Sequence, residues 1–195
     1  MINQEYLEKQ KLLRFQRQNR TIFLLDRSFN NIYKQLGEAV KTNDKEAIQY
    51  AIQNGYLEVR DQSNFNVICL AASKGWLDFV KKFEECGYNP ESEPILHLFC
   101  KSGSIEGAKY ALKYHNINER DSKDLCPLHY AALSGNIELI EFLLSLPKID
   151  KNPQSKKGLM PLDYAFKHGH QAAAKIMADK GCKCTNINPC LMELD

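Results

Sequence analysis

Cys126 and His129 stand three residues apart in "CPLHYAALSGNIELIEFLL", residues 126–144, directly ahead of a strongly apolar run. A thiol at a helix N-terminus loses its proton readily and a neighbouring imidazole can take it, so the pair has the makings of a nucleophilic cysteine. That chemistry needs a third group to orient the imidazole, and the sequence offers none. The competing reading is architectural. Pro127 suits the first position of a helix, where its missing N–H costs nothing, and this places Cys126 at the N-cap. His97, His115, His168 and His170 show no metal-ligand spacing; His115 is expected in an exposed linker. Cys182, Cys184 and Cys190 in the tail "CKCTNINPC" lie close enough for three thiolates to hold zinc or copper. No phosphate-cradling glycine loop or catalytic acid pair is present.

What positions these residues is a period. Aligning on glycine gives "LAASKGWLD", "LFCKSGSIE", "YAALSGNIE" and "YAFKHGHQA", with Gly75, Gly103, Gly135 and Gly169 separated by 28, 32 and 34 residues. A further step of 32 back from Gly75 lands on Asn43, a residue that tolerates the left-handed backbone glycine otherwise supplies. Each unit reads as a short helix carrying small residues (Ala39, Ala71, Ala131, Ala165), a tight turn, and a second helix with apolar residues at helical spacing. A helix pair this short cannot bury its own apolar face, so neighbouring units must stack.

"CPLHYAALSGNIELIEFLL" resembles the ankyrin repeat, whose signature is Thr-Pro-Leu-His-x-Ala-Ala followed by glycine and a second helix. "MPLDYAFKHGH" and the unit around Gly75 follow it well; "PILHLFCKSGS" and the first unit follow it less closely. The resemblance implies an all-α solenoid of about five stacked helix-turn-helix units, near residues 30–60, 61–91, 92–120, 121–154 and 155–182. Residues 1–29 would form an N-terminal helical cap and residues 183–195 a C-terminal tail. It also implies that Cys126, Pro127, Leu128 and His129 are structural, with His129 tying the helix start to the adjacent unit. Cys126 replaces the family's threonine and should lose part of the capping energy, at most about 1 kcal/mol. Residues 181–188 match the family's linker, the reading preferred here to a three-thiolate site.

In this family the first helices and linker fingers line a concave face that recognises a folded partner. The matching positions are Leu70, Leu98, Tyr130 and Tyr164, followed one turn later by Ser73, Lys101, Leu133 and Lys167. An apolar and aromatic row bordered by lysines suits an interface centre; the alternative is that it only packs the stack. Trp76, whose counterparts Ser104, Asn136 and His170 are polar, is either an accessible anchor or a filler over the third unit, where the linker "CGYNPESEP" is short enough to lack a finger. The basic, partly apolar stretch before residue 30 reads as a cap, with membrane or partner docking as the alternative.

Composition sets the outer bounds. Across 195 residues, 44% hydrophobic, 26% charged and 10% aromatic content excludes global disorder, and a formal charge of +2 gives no reason to invoke nucleic acid. Seven irregularly spaced cysteines read as reduced thiols, and no apolar run approaches the ~20 residues that span a bilayer. The expectation is a cytoplasmic, non-catalytic protein-binding module, monomeric alone, taking no cofactor or metal and neither nucleic acid nor membrane. A recognition subunit of an enzyme assembly and a pathogen effector delivered into a host cell are the alternatives.

Overall fold

The computed structural model describes residues 26–185; the basic stretch before residue 26 and the end of the tail, with Cys190, lie outside the described residues. Ten α-helices make up the described chain, with two single 3-10 turns at Tyr56–Glu58 and Pro90–Ser92. They are α1 (Phe29–Lys41), α2 (Lys45–Gln53), α3 (Val67–Ser73), α4 (Leu77–Glu85) and α5 (Ile95–Ser102), then α6 (Ile105–Ala111), α7 (Pro127–Ser134), α8 (Ile137–Ser145), α9 (Pro161–Lys167) and α10 (Gln171–Asp179). Among the described residues no helix is long and apolar enough to cross a membrane.

Local chemistry sets the boundaries. Three second helices start on a side-chain cap: Asp44 accepts from the Ala47 N–H, Ser104 from Gly107 and Asn136 from Leu139, at 3.0, 3.2 and 2.9 Å. First helices α7 and α9 start instead on Pro127 and Pro161, and the side chains of His129 and Asp163 reach back to the N-cap N–H groups of Cys126 and Met160, at 3.1 and 2.8 Å. Between the helices of each pair the chain turns through positive φ; in the first pair Asn43 does this at φ 55°, as its alignment with the glycines implies.

The chain divides into two compact units, residues 26–71 with 77–90, and residues 72–76 with 91–185, parting in the short linker that carries the Pro90–Ser92 turn and no finger. In the first unit α1 packs on α2 and α4 around Ile32, Leu36, Ile48, Val80 and Phe83, all fully buried. Lys45 pairs with Glu85 at 3.2 Å between α2 and α4. In the second unit the first helices α5, α7 and α9 pack side by side, each with its own second helix behind it. The core there is Leu96, Phe99, Leu128, Leu139, Ile140, Leu143 and Met177, with Ala131, Ala132, Ala165 and Ala174 where helices approach closely. The result is the all-α stack of helix-turn-helix repeats that the period requires.

Three fingers share one turn. In residues 61–65, 121–125 and 155–159 the first N–H bonds to the fifth carbonyl at 2.9–3.0 Å, and the fourth residue, Asn64, Asp124 or Gly158, is left-handed. Asp61 and Asp121 add a side chain that accepts two N–H groups of its own turn.

Gly107 supplies a direct check on packing. In a helix interior alanine is normally preferred by ~1 kcal/mol, yet a Cβ at residue 107 would overlap the buried ring of Phe99. Overpacking costs about 1–3 kcal/mol and should win. Gly107→Ala is therefore expected to lower the urea midpoint of unfolding, whereas an increase would show that Phe99 can step aside.

Candidate partner-binding face

The first helices of the second unit are held to one another by their motif histidines. His129 Nδ1 accepts the Cys126 N–H at 3.1 Å, so the ring proton is on Nε2, which donates to the Leu159 carbonyl of the next repeat at 3.2 Å. Burial holds the ring neutral, its pKa below the ordinary imidazole value although the bond to the Leu159 carbonyl pulls the other way. Cys126 Sγ lies 3.2 Å from the same Nδ1, but the residue is 2% exposed and burial pushes its thiol up. The pair that looked like a nucleophile and its base is a helix start.

His97 holds the same position in α5 and makes the same tie, Nε2 to the Leu125 carbonyl at 3.2 Å. Its N-cap is Pro94, which has no N–H to give Nδ1. The Glu119 carboxylate stands beside it: one oxygen is 3.1 Å from His97 Nδ1, off line for a hydrogen bond, and the other is 3.1 Å from His115 Nδ1. His115 is thus only 7% exposed at its side chain, a correction to its expected place in an open linker, because the turns after α6 fold it under Glu119. Burial pushes the Glu119 carboxyl up, but the two imidazoles beside it prevail and hold it at about 2. In α9 the position is Asp163, which binds the N–H and hydroxyl of Thr185 at 3.1 and 2.9 Å. The segment 182–185 therefore docks as a linker does, with Cys182 buried and its thiol pushed up to about 11.

These ties place two aromatic rings. Tyr130 packs edge-on against His97, with centroids 5.5 Å apart, and Tyr164 does the same on His129 at 5.2 Å. Their hydroxyls are anchored in the fingers, Tyr130 donating to Asp121 at 2.6 Å and Tyr164 to Ser155 at 3.3 Å. Burial first, then the Asp121 bond, drive the Tyr130 phenol well above its usual range, so it stays a donor. Leu133, one turn on, is half-buried, and Lys101 and Lys167 at the ends of α5 and α9 are exposed.

Leu98 does not belong to this surface. It is 4% exposed, packed into the stack, because α7 lies directly against α5, and that removes it from the expected row. Ser73 is half-buried. Trp76 is 46% exposed, with the Lys74 ammonium 4.8 Å from its ring centroid, as an accessible anchor would be. Leu70 lies in the first unit, where it lines an open groove of about 580 Å³ with Ser28, Phe29 and Arg60. The sequence marks Asp121 only as one charge of a mixed-sign finger; the spacing of its turn, Asp-x-x-Asp here and Asp-x-x-Asn at residues 61–64, signals the turn but not the hold on Tyr130.

A family model described as ankyrin repeats in three copies matches residues 68–155 and 96–188. The chain belongs to the ankyrin-repeat family. Over 128 residues this ankyrin-repeat chain is 30% identical to "Probable 26S proteasome regulatory subunit p28" of Saccharomyces cerevisiae, a match covering 62% of the chain and 56% of that protein. It is 30% identical over 117 residues to the tyrosine-protein kinase Shark of Drosophila melanogaster, covering 56% of the chain and 12% of the kinase. The mitochondrial liver glutaminase of Mus musculus is 29% identical over 79 residues, 40% of the chain and 13% of the enzyme. The chain thus spans little more than half of the yeast relative and a small part of the two enzymes, and no activity follows from matches of that extent. What the ankyrin repeats supply is a protein-interaction module.

Two outcomes are expected. Iodoacetamide applied to the native chain at neutral pH should leave Cys126 unmodified while half-exposed Cys184 reacts; rapid labelling of Cys126 would restore the nucleophile reading. Glu119, held at about 2 when folded against about 4.3 unfolded, contributes stability that is present above pH ~4.3 and is lost as pH falls toward 2. Glu119→Gln should cost roughly 2 kcal/mol at neutral pH and flatten the stability curve across that acid window, measured by urea unfolding at stepped pH.

Proposed function

We propose that the chain is a cytoplasmic, non-catalytic adaptor, scaffold or inhibitor that holds a partner protein on the first-helix and finger face of residues 91–185. The observation that carries the reading is the pair Tyr130 and Tyr164, half-buried rings fixed on a histidine at one side and on a finger at the hydroxyl. Rings already locked in place lose little freedom when a partner covers them, which is what a central anchor requires. Leu133 continues the apolar row, Lys101 and Lys167 form its polar border, and Trp76 is a separate exposed aromatic. Residues 30–182 act as the repeat array, and the chain is monomeric when alone.

A second reading has one observation in its favour. Similarity to a yeast protein named as a proteasome regulatory subunit supports a recognition or regulatory subunit, in which this chain positions an assembly while other subunits do chemistry. Affinity capture from source lysate, with wild type beside a Tyr130→Ala, Leu133→Ala, Tyr164→Ala variant, tests both. A partner recovered by wild type should be depleted about tenfold or more on the variant; equal recovery would show that the face is wrong. Proteasomal ATPase or peptidase activity that co-purifies and changes on binding would select the second reading.

A further inference from the structure

Positive charge is gathered on this face well beyond the protein's overall +2. The two fingers of the second unit, residues 120–125 and 154–159, carry exposed Arg120, Lys123, Lys156 and Lys157, and the adjoining first helices end in exposed Lys101 and Lys167. Among the described residues none of the five lysines has an ion-pair partner, and Arg120 donates only to the carbonyls of Asp124 and Gln154. The fingers touch, the Lys156 N–H bonding the Lys123 carbonyl at 3.0 Å, so their cations form one patch.

The nearby carboxylates are already engaged. Asp121 accepts from Tyr130 and from two N–H groups of its own turn, Glu119 lies between two imidazoles, and Asp163 is buried under Thr185. That leaves Asp124, half-buried like Asp121, with exposed Asp150 nearby. The second helices differ: Glu106 pairs with Lys109 at 2.7 Å and Glu141 with Lys180 at 3.9 Å. A chain of net charge +2 has thus gathered six unneutralised cations around the row of Tyr130, Leu133 and Tyr164.

We propose that this face docks an acidic segment of a partner protein, with carboxylates meeting the finger and helix-end cations and apolar side chains seated between Tyr130, Leu133 and Tyr164. This rests on the function proposed above and adds the chemical class of the partner. Complementary charge steers encounter and fixes register, while the anchored rings supply the desolvated centre. The apolar row favours a polypeptide over a nucleic acid, whose evenly spaced phosphates would leave Leu133 unserved.

The test is selection from a displayed library of random peptides on the full chain, followed by affinity measurements at two salt concentrations. Wild type should enrich peptides rich in Asp and Glu with interspersed apolar residues. Their affinity should fall about tenfold or more on Lys123→Glu, Lys156→Glu, Lys157→Glu, and fall with added salt. The substituted lysines are exposed, and unchanged thermal unfolding of the variant confirms that only charge was altered. Lys101→Glu, Lys167→Glu is a second variant expected to act in the same direction. Enriched peptides without acidic bias that still fail on Tyr130→Ala, Leu133→Ala, Tyr164→Ala would overturn the charge inference and leave the face intact. Peptides indifferent to every variant, or no enrichment, would overturn both. Binding of a single-stranded oligonucleotide that depends on the finger lysines, without acidic peptides, would overturn the partner class.

Discussion

The carbonyls of Leu125 and Leu159 each receive an imidazole N–H from the preceding repeat, and the first-helix side of the second unit is organised around those two bonds. Each joins residues about thirty apart in the chain, close to the family's repeat length; the first is buried and the second partly so, and a polar group left unpaired there costs up to ~1–3 kcal/mol. The donor must be Nε2, which requires something on Nδ1. In α7 that is the Cys126 N–H. In α5 Pro94 removes that donor; a Glu119 carboxylate oxygen lies 3.1 Å from Nδ1 without a hydrogen bond, and its other oxygen meets His115. The last repeat has Asp163 instead and captures Thr185 from the following linker. Three chemistries at one repeat position do the same mechanical task.

The partner face follows from that task. Each histidine ring forms a T-shaped pair with the tyrosine of the next repeat, and the finger that supplies the carbonyl also supplies the hydroxyl's partner, Asp121 or Ser155. Holding the stack together and presenting rigid aromatic groups are therefore one arrangement. The charge separation has the same origin: Asp121 is consumed in closing its turn and anchoring Tyr130, and the finger lysines are exposed with no ion-pair partner among the described residues.

Much of this was legible in the residues. Pro127 and Pro161 mark helix starts, the aligned glycines mark turns, and Asn43 takes the left-handed backbone that its register demands. Tyr130 and Leu133 could be placed on one helix face from spacing alone. Spacing could not reveal how closely α7 approaches α5, which is why Leu98 is core and not surface. Nor could it foresee Glu119 beside His97, because its position depends on how residues 112–119 fold back. The Asp121 turn was written in its Asp-x-x-Asp spacing, but its hold on Tyr130 is a tertiary contact.

The imidazole tie can be observed directly. Long-range proton–nitrogen correlation of the histidine rings at neutral pH reports which nitrogen carries the proton, and His129 is predicted to be a single neutral tautomer protonated at Nε2. A His129 ring protonated at Nδ1, or averaging between the two tautomers, would contradict the bond to Leu159 and with it the basis on which Tyr164 is held in place.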